Sequence, residues 1–401
     1  MNQYPYERTI VNQIFSGFSR KKRLLHIITG PRQVGKTVAS LQIAAKWQGE
    51  AVIASADLPI PPGPEWIHAQ WEMARRKAQR NRSAPVLLVL DEVQKVAGWS
   101  EAVKALWDED LVKEKSIEVL LLGSSALLLQ KGVTESLAGR FYIYRCGHWS
   151  YAEMKKAFGW DLETYLFYGG YPGAALLIND SETWFNYVRD TLIETVLSRD
   201  VLQLHTITKP ALLRSLFFLA CIHPAQILSY NKMLGQLQDA GNTTTLAHYL
   251  KLLESAYLLS GLEAFRWGRK TRRGSSPKLI LWNNALVNAV AGQTFDKARD
   301  DPAWWGRIVE NAVGAHILNG LSDISWQVFY WRYKGREVDF VVKTPRDTWA
   351  IEVKSGASAF SDTTGLDAFK RNYPEARPFI VGQAGMGLED FFSTEPSDLF
   401  G

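Results

Sequence analysis

Cysteine is nearly absent: 401 residues hold two, Cys146 and Cys221. Lying far apart in apolar surroundings, they exclude a disulfide framework and read as reduced structural thiols. The seven histidines are scattered, with no H-x-x-x-H and no Cys/His cluster, so a zinc site is not expected. No uninterrupted apolar run reaches the roughly 18 residues that cross a bilayer. The opening "MNQYPYERTI" also lacks a basic segment followed by an apolar core. The expectation is a cytoplasmic protein with no membrane partner. Internal repeats and low-complexity tracts are missing as well. Neither sign of charge dominates: 46 Lys and Arg face 41 Asp and Glu, for a net +5. That mild excess supports a nucleic-acid partner only where the basic residues cluster.

What the chain does have is a globular composition, 46% hydrophobic and 12% aromatic. Its length suits two to three domains at about 150 residues each. The 15 tryptophans read as core and interface anchors rather than a base-stacking platform. Residues 1–24 suggest a short leading helix ending in the basic run "RKKR", whose plain reading is a solvated helix end. From 24 to 146 apolar strands alternate with helical segments, the pattern of a mainly parallel sheet. The strands are placed at 24–29, 51–56, 86–90, 117–122 and 141–146. "LPIPPGP" (58–64) is a Pro-rich loop and the stretch after it is helical. From 147 to about 260 a spacing near 3.6 dominates, as in "ALLRSLFFLACI". A basic, glycine-bearing stretch, "GRKTRRGSSPK" (268–278), precedes a last α/β unit with strands "QVFYWRY", "REVDFVV" and "TWAIEVK". Boundaries are drawn at 1–148, 149–205, 206–275 and 276–401.

The first strand breaks into Gly30-Pro31-Arg32-Gln33-Val34-Gly35-Lys36-Thr37, followed by Val38. This is the pattern G-x-x-x-x-G-K-S/T in full, after a strand and opening a helix, as a phosphate cradle needs. Residues 30–38 are expected to bind ATP: the glycines let N–H groups turn inward, and the helix N-terminus adds its positive dipole. Lys36 would reach the β- and γ-phosphates, and the Thr37 hydroxyl would ligate Mg²⁺. "VLLVLDEVQ" ends in Asp91, placed to hold the Mg²⁺ hydration shell, and Glu92, placed to orient or deprotonate the attacking water. The alternative is an Asp-Glu pair capping the next helix. "IEVLLLGSSALLL" ends in Ser124 and Ser125, which can contact the γ-phosphate or the water, or simply cap a helix.

"GPRQVGKT", "LDEVQ" followed by Gly98-Trp99, "LLGSSALLL", "ESLAGRFY", "YLFYGGYP" and "YVRDTLIETVLSRDV" together resemble the bacterial and archaeal AAA+-type ATPases that carry an uncharacterised C-terminal domain. The resemblance spans nearly the whole chain. It implies an α/β fold: a P-loop AAA+-type parallel sheet, a helical lid and winged helix, then a C-terminal α/β domain. It implies that Ser124 or Ser125 is the sensor and that Arg140 is an arginine finger on a neighbouring subunit's nucleotide, in a homo-oligomer. A local salt bridge is the other reading of Arg140.

"SYNKMLGQLQDAGNTTTLAHYLKLLESAYLLSGLEAFRWGRKTRR" has the order helix, turn at Gly241-Asn242, second helix, and a β-hairpin with a basic tip at 266–273. Arg266, Arg269, Lys270, Arg272 and Arg273 are positioned to meet DNA phosphates, and Thr243 to Thr245 open the second helix. Winged helices also serve as protein–protein modules. The final strands carry Asp339 and the pair Glu352 and Lys354, acids spaced to converge on one Mg²⁺, with the lysine available to stabilise a pentavalent phosphate. This resembles the PD-(D/E)xK nuclease core, and Glu310 matches the acid that fold often supplies from the preceding helix. Such domains either cleave or only bind. Asn283 stands where the family usually shows an Asp. The leading expectation is an ATP-hydrolysing switch or motor coupled to a DNA-engaging nuclease-like domain. Two alternatives stay open: a Mg²⁺-dependent DNA or RNA endonuclease regulated by ATP, and an ATP-gated signalling or scaffold protein that binds protein partners.

Overall fold

A computed structural model of the chain describes residues 6–20, 22–81, 84–123, 136–202, 207–237, 242–266, 275–355 and 364–401. Ser124, Ser125, Gly241 and four residues of the basic tip, Arg269, Lys270, Arg272 and Arg273, lie outside the described residues. No helix among those described is long and apolar enough to cross a membrane. The chain divides into two compact units, Met1–Cys146 and Gly147–Gly401.

The first unit is a five-stranded sheet built from β1 (Leu25–Thr29), β2 (Ala51–Ser55), β3 (Val86–Asp91), β4 (Ile117–Leu122) and β5 (Phe141–Arg145). Its order is β2-β3-β4-β1-β5, and all pairs are parallel. Every residue of β1 and β3 is buried, because helices cover both faces and a central parallel strand has no solvent side. That is why "VLLVL" is a continuous apolar run rather than an alternating one. Among the described residues, four helices cover the sheet: α1 (Thr9–Phe18), α2 (Lys36–Lys46), α3 (Pro64–Arg80) and α4 (Trp99–Val112). Pro64 opens α3 at a position where its missing N–H has no helical partner. The buried stripe of α3 runs Ile67, Trp71, Ala74, Arg75 and Ala78. Arg75 is anchored to α4 by Asp110, whose other oxygen accepts from Trp71 Nε1 at 2.7 Å, so the buried charge is paired and fully hydrogen-bonded.

The second unit opens with the helices Tyr151–Phe158 and Leu162–Tyr168. The first carries a reciprocal Ser150–Glu153 capping box, and Asp161 caps the second. A helical stretch over 181–202 contains two π-helical segments, Tyr187–Ile193 and Val196–Leu202. The helices Tyr230–Gln236 and Thr243–Ser255 follow, capped by Ser229 and Asn242, and then a two-stranded antiparallel ribbon of β6 (Leu259–Leu262) and β7 (Lys278–Leu281). The chain closes on a four-stranded sheet of β8 (Gln327–Tyr333), β9 (Arg336–Lys343), β10 (Thr348–Lys354) and β11 (Arg377–Gly382). Its order is β11-β10-β9-β8, with a parallel β10–β11 pair and antiparallel pairs elsewhere. The helix Pro302–Gly320 precedes this sheet, and Asn311 ties it to β7 through both polar groups of Leu281.

Candidate functional site

The turn after β1 is shaped by two glycines. Gly30 has φ +153° and lies so close to Cys146 that a Cβ would sit 2.1 Å from the Cys146 carbonyl oxygen. Gly35 is left-handed, at φ +89°, where it starts α2. Gln33 is also left-handed, at φ 60°. The loop therefore curls over the N-terminus of α2, leaving N–H groups that have no helical acceptor. Lys36 is buried, and its Nζ donates to the carbonyls of Gly30 at 3.0 Å and Pro31 at 2.6 Å. Arg8, on the residue before α1, donates to the Val34 carbonyl at 3.1 Å and to Cys146 Sγ at 3.0 Å.

Asp91 meets this loop from β3. Thr37 Oγ1 donates to Asp91 Oδ2 at 2.7 Å, and the Glu92 N–H donates to Asp91 Oδ1 at 2.8 Å. Burial pushes the Asp91 carboxyl above its usual range, and the Thr37 hydrogen bond opposes that shift. A cation placed there would favour the ionised form. The Thr37–Asp91 pair fits Mg²⁺, which takes one or two protein oxygens and fills its remaining positions with water and substrate phosphate. Glu92 is left-handed, at φ 52°, and its Oε2 accepts from Gln94 Nε2 at 2.8 Å. Sequence reading gave no role to Arg8 or Gln94. The signal for Gln94 was present in "LDEVQ", two positions beyond the acid it holds.

Arg140 lies elsewhere. Its carbonyl accepts from Leu25 N at the start of β1, so it sits at the opposite end of the sheet from the loop. Five strand residues at about 3.3 Å each put it roughly 16 Å away. Its guanidinium forms a two-bond pair with Asp108, Nε–Oδ1 2.7 Å and Nη2–Oδ2 3.0 Å. The same pair holds the Asp108 carboxyl below the usual carboxylate range.

In the second unit, the expected set of Glu310, Asp339 and Glu352 does not close around one cation. Lys278 comes between them. The lysine is fully buried at the start of β7, and its Nζ lies 2.5 Å from Glu310, 3.3 Å from Glu337 and 3.3 Å from Asp339. It also donates to the Asp339 carbonyl at 3.2 Å. The other Asp339 oxygen accepts from Val353 N at 2.8 Å. Glu352 turns to Lys354 at 2.9 Å, while its Oε2 is buried without a hydrogen-bond partner. Burial and the Asp339 charge push Glu352 up to about 7. Burial pushes the Glu310 carboxyl up, and the Lys278 ammonium beside it pulls it back toward the ionised form. Among the described residues no group of three or more His, Cys, Asp or Glu side chains is arranged to hold a metal ion. Mg²⁺ does not fit here while Lys278 is in place.

Asn283, which departs from the resembled pattern, works locally. Its Oδ1 accepts from Ala285 N at 3.1 Å, capping the helix Asn284–Ala291, and from Gly170 N at 3.2 Å. Sequence reading assigned Lys278 no role, because it ends a basic, serine- and glycine-rich stretch that looks solvated.

Comparison with known proteins agrees with the first unit and adds names to the rest. Residues 22–155 match the model of an AAA domain. Residues 159–297 match a domain of unknown function (DUF8612), and 305–391 match another (DUF4143). No curated protein matches the chain. Among solved structures, the Aeropyrum pernix ORC1 protein in complex with DNA is 11% identical with a TM-score of 0.31, covering 75% of this chain and 95% of its own. A single-residue variant of Thermotoga maritima RuvB is 14% identical with a TM-score of 0.31, covering 66% and 90%. Likenesses at that score carry no weight for function. The segment of the first unit that matches the AAA domain thus contains the parallel sheet and the loop at the end of β1.

Proposed function

We propose that the protein is an ATP-binding and ATP-hydrolysing AAA+-type switch or motor, assembled as a homo-oligomer in the cytoplasm, whose later domains engage DNA. The observation that carries this reading is the joining of Lys36, Thr37, Asp91 and Glu92 at one end of the sheet, with Thr37 and Asp91 2.7 Å apart. The loop 30–38 cradles the phosphates, and Lys36 leaves its two carbonyls for the β- and γ-phosphates. Thr37 and Asp91 would hold Mg²⁺, which offsets phosphate charge when bound. Glu92 orients the water for in-line attack on the γ-phosphate once it leaves Gln94. Ser124 or Ser125 senses the γ-phosphate, and Arg140 serves the neighbouring subunit, since it cannot reach its own loop. Releasing Arg140 from Asp108 is then part of assembly. On this reading residues 1–148 are the ATPase, 149–205 a lid, 206–275 a winged helix with its basic tip at 266–273, and 276–401 a nuclease-like domain.

The test of the DNA half is the ATPase rate with and without single-stranded, double-stranded and branched DNA. Stimulation by one of them is expected, and its loss is expected when Arg272 and Arg273 are changed to Glu. An ATPase indifferent to every nucleic acid would move the protein to the class that binds protein partners.

A further inference from the structure

Lys278 stands where the nuclease-like reading wants a divalent cation. Its ammonium is wholly removed from solvent and meets three carboxylates from two elements: Glu310 on the helix Pro302–Gly320, and Glu337 and Asp339 on β9. A buried ammonium is stable only when paired and hydrogen-bonded, so the acids fix the lysine as firmly as the lysine fixes the acids. The scaffold leaves little room for it to swing away. Its strand is tied to the helix by Asn311, and Phe340 presents its ring 5.0 Å from Nζ. Asp339 has one oxygen on the lysine and the other on the Val353 N–H. A second cation at this point would meet the ammonium's repulsion at short range in a low-dielectric setting.

We propose that Lys278 is the resident cation of the Glu310, Glu337 and Asp339 cluster, taking the place of a divalent metal ion in the C-terminal domain. The inference does not rest on the ATPase reading. It separates the version of the protein that engages DNA from the version that cuts it.

The full-length chain carrying Asp91→Asn, which removes the carboxylate of the other Mg²⁺ position, is the parent for the test. In NMR of its lysine ammonium groups, millimolar MnCl₂ leaves the Lys278 signal, identified by its loss in Lys278→Arg, unbroadened. In an electron paramagnetic resonance titration, Lys278→Ala in that parent gains a Mn²⁺ site at least about tenfold tighter than any in the parent. Adding Glu310→Gln and Asp339→Asn abolishes that site. Paramagnetic broadening of Lys278 in the parent would overturn the proposal, as would a Lys278→Ala chain that binds Mn²⁺ no better than the parent. So would Mg²⁺-dependent DNA cleavage by the wild-type chain that Asp339→Asn removes. The NMR arm uses the chain with Lys278 intact and decides the matter even if Lys278→Ala does not fold.

Discussion

Each unit places a buried lysine at the centre of its polar site, and the two lysines are held in opposite ways. The hydrogen bonds of Lys36 include two to neutral main-chain carbonyls beside a curled glycine loop, and its charge also acts on the Asp91 carboxyl. Lys278 sits among three carboxylates. A carbonyl yields its lysine to an arriving phosphate, because a charge-assisted bond replaces a neutral acceptor. Three carboxylates do not, since their own burial depends on the ammonium. The lesson is that a lysine's availability is set by the charge of its partners rather than by its burial, which both share.

Removing the charge tests that contrast most severely. Lys278→Met should destabilise the second unit by about 3–5 kcal/mol, because carboxylates buried around it lose their counter-charge. Lys36→Met should change stability by less than about 1 kcal/mol, since the loop carbonyls can turn to water. Urea unfolding of the two full-length variants checks both. Equal losses would erase the distinction.

A smaller effect comes from Glu352, whose carboxyl is pushed up to about 7 by burial and by Asp339 while Lys354 and Lys278 pull it down. A carboxyl with a raised folded value contributes stability that is full below its unfolded value and lost as pH rises through the folded one. Glu352→Gln should therefore gain stability relative to the wild type between pH 4.5 and 7. The gain should be roughly 1–3 kcal/mol across that window. Unfolding curves at the two ends measure it, and a difference independent of pH would contradict the assignment. His316, also buried and lowered to about 4, bends the wild-type curve the opposite way, so the variant-minus-wild-type difference is the quantity to read.

The smallest expected change in stability belongs to Arg140→Ala. Its pair with Asp108 is partly exposed, and such pairs contribute little to stability. If Arg140 acts in trans, ATP turnover falls by roughly 10³-fold despite that small change. Asp108→Ala, which frees the guanidinium, should keep turnover.

Much of this was legible in the sequence, for physical reasons. β3 is a buried parallel strand, and its uninterrupted apolar run announces it. Gly30, Gly35, Lys36 and Thr37 are read from spacing because a phosphate loop has only one backbone solution. Asp91 follows because it ends a strand. Lys278 was not legible: its hydrogen-bond partners Glu337 and Asp339 lie 59 and 61 positions away, and nothing local marks it as buried. Nor was the Asp108 partner of Arg140, 32 positions earlier on α4. Local pattern fixes which residues line a strand end, but which charges neutralise one another is decided by packing.

The Lys36, Thr37, Asp91 and Glu92 group is proposed above as a working ATPase centre. Its most direct test is a paired measurement of Mg²⁺-dependent ATP binding and phosphate release by the wild type, Lys36→Ala and Glu92→Gln. Lys36→Ala is expected to lose binding, while Glu92→Gln binds ATP as the wild type does and releases phosphate at least about 100-fold more slowly. Wild-type turnover in either variant would contradict it.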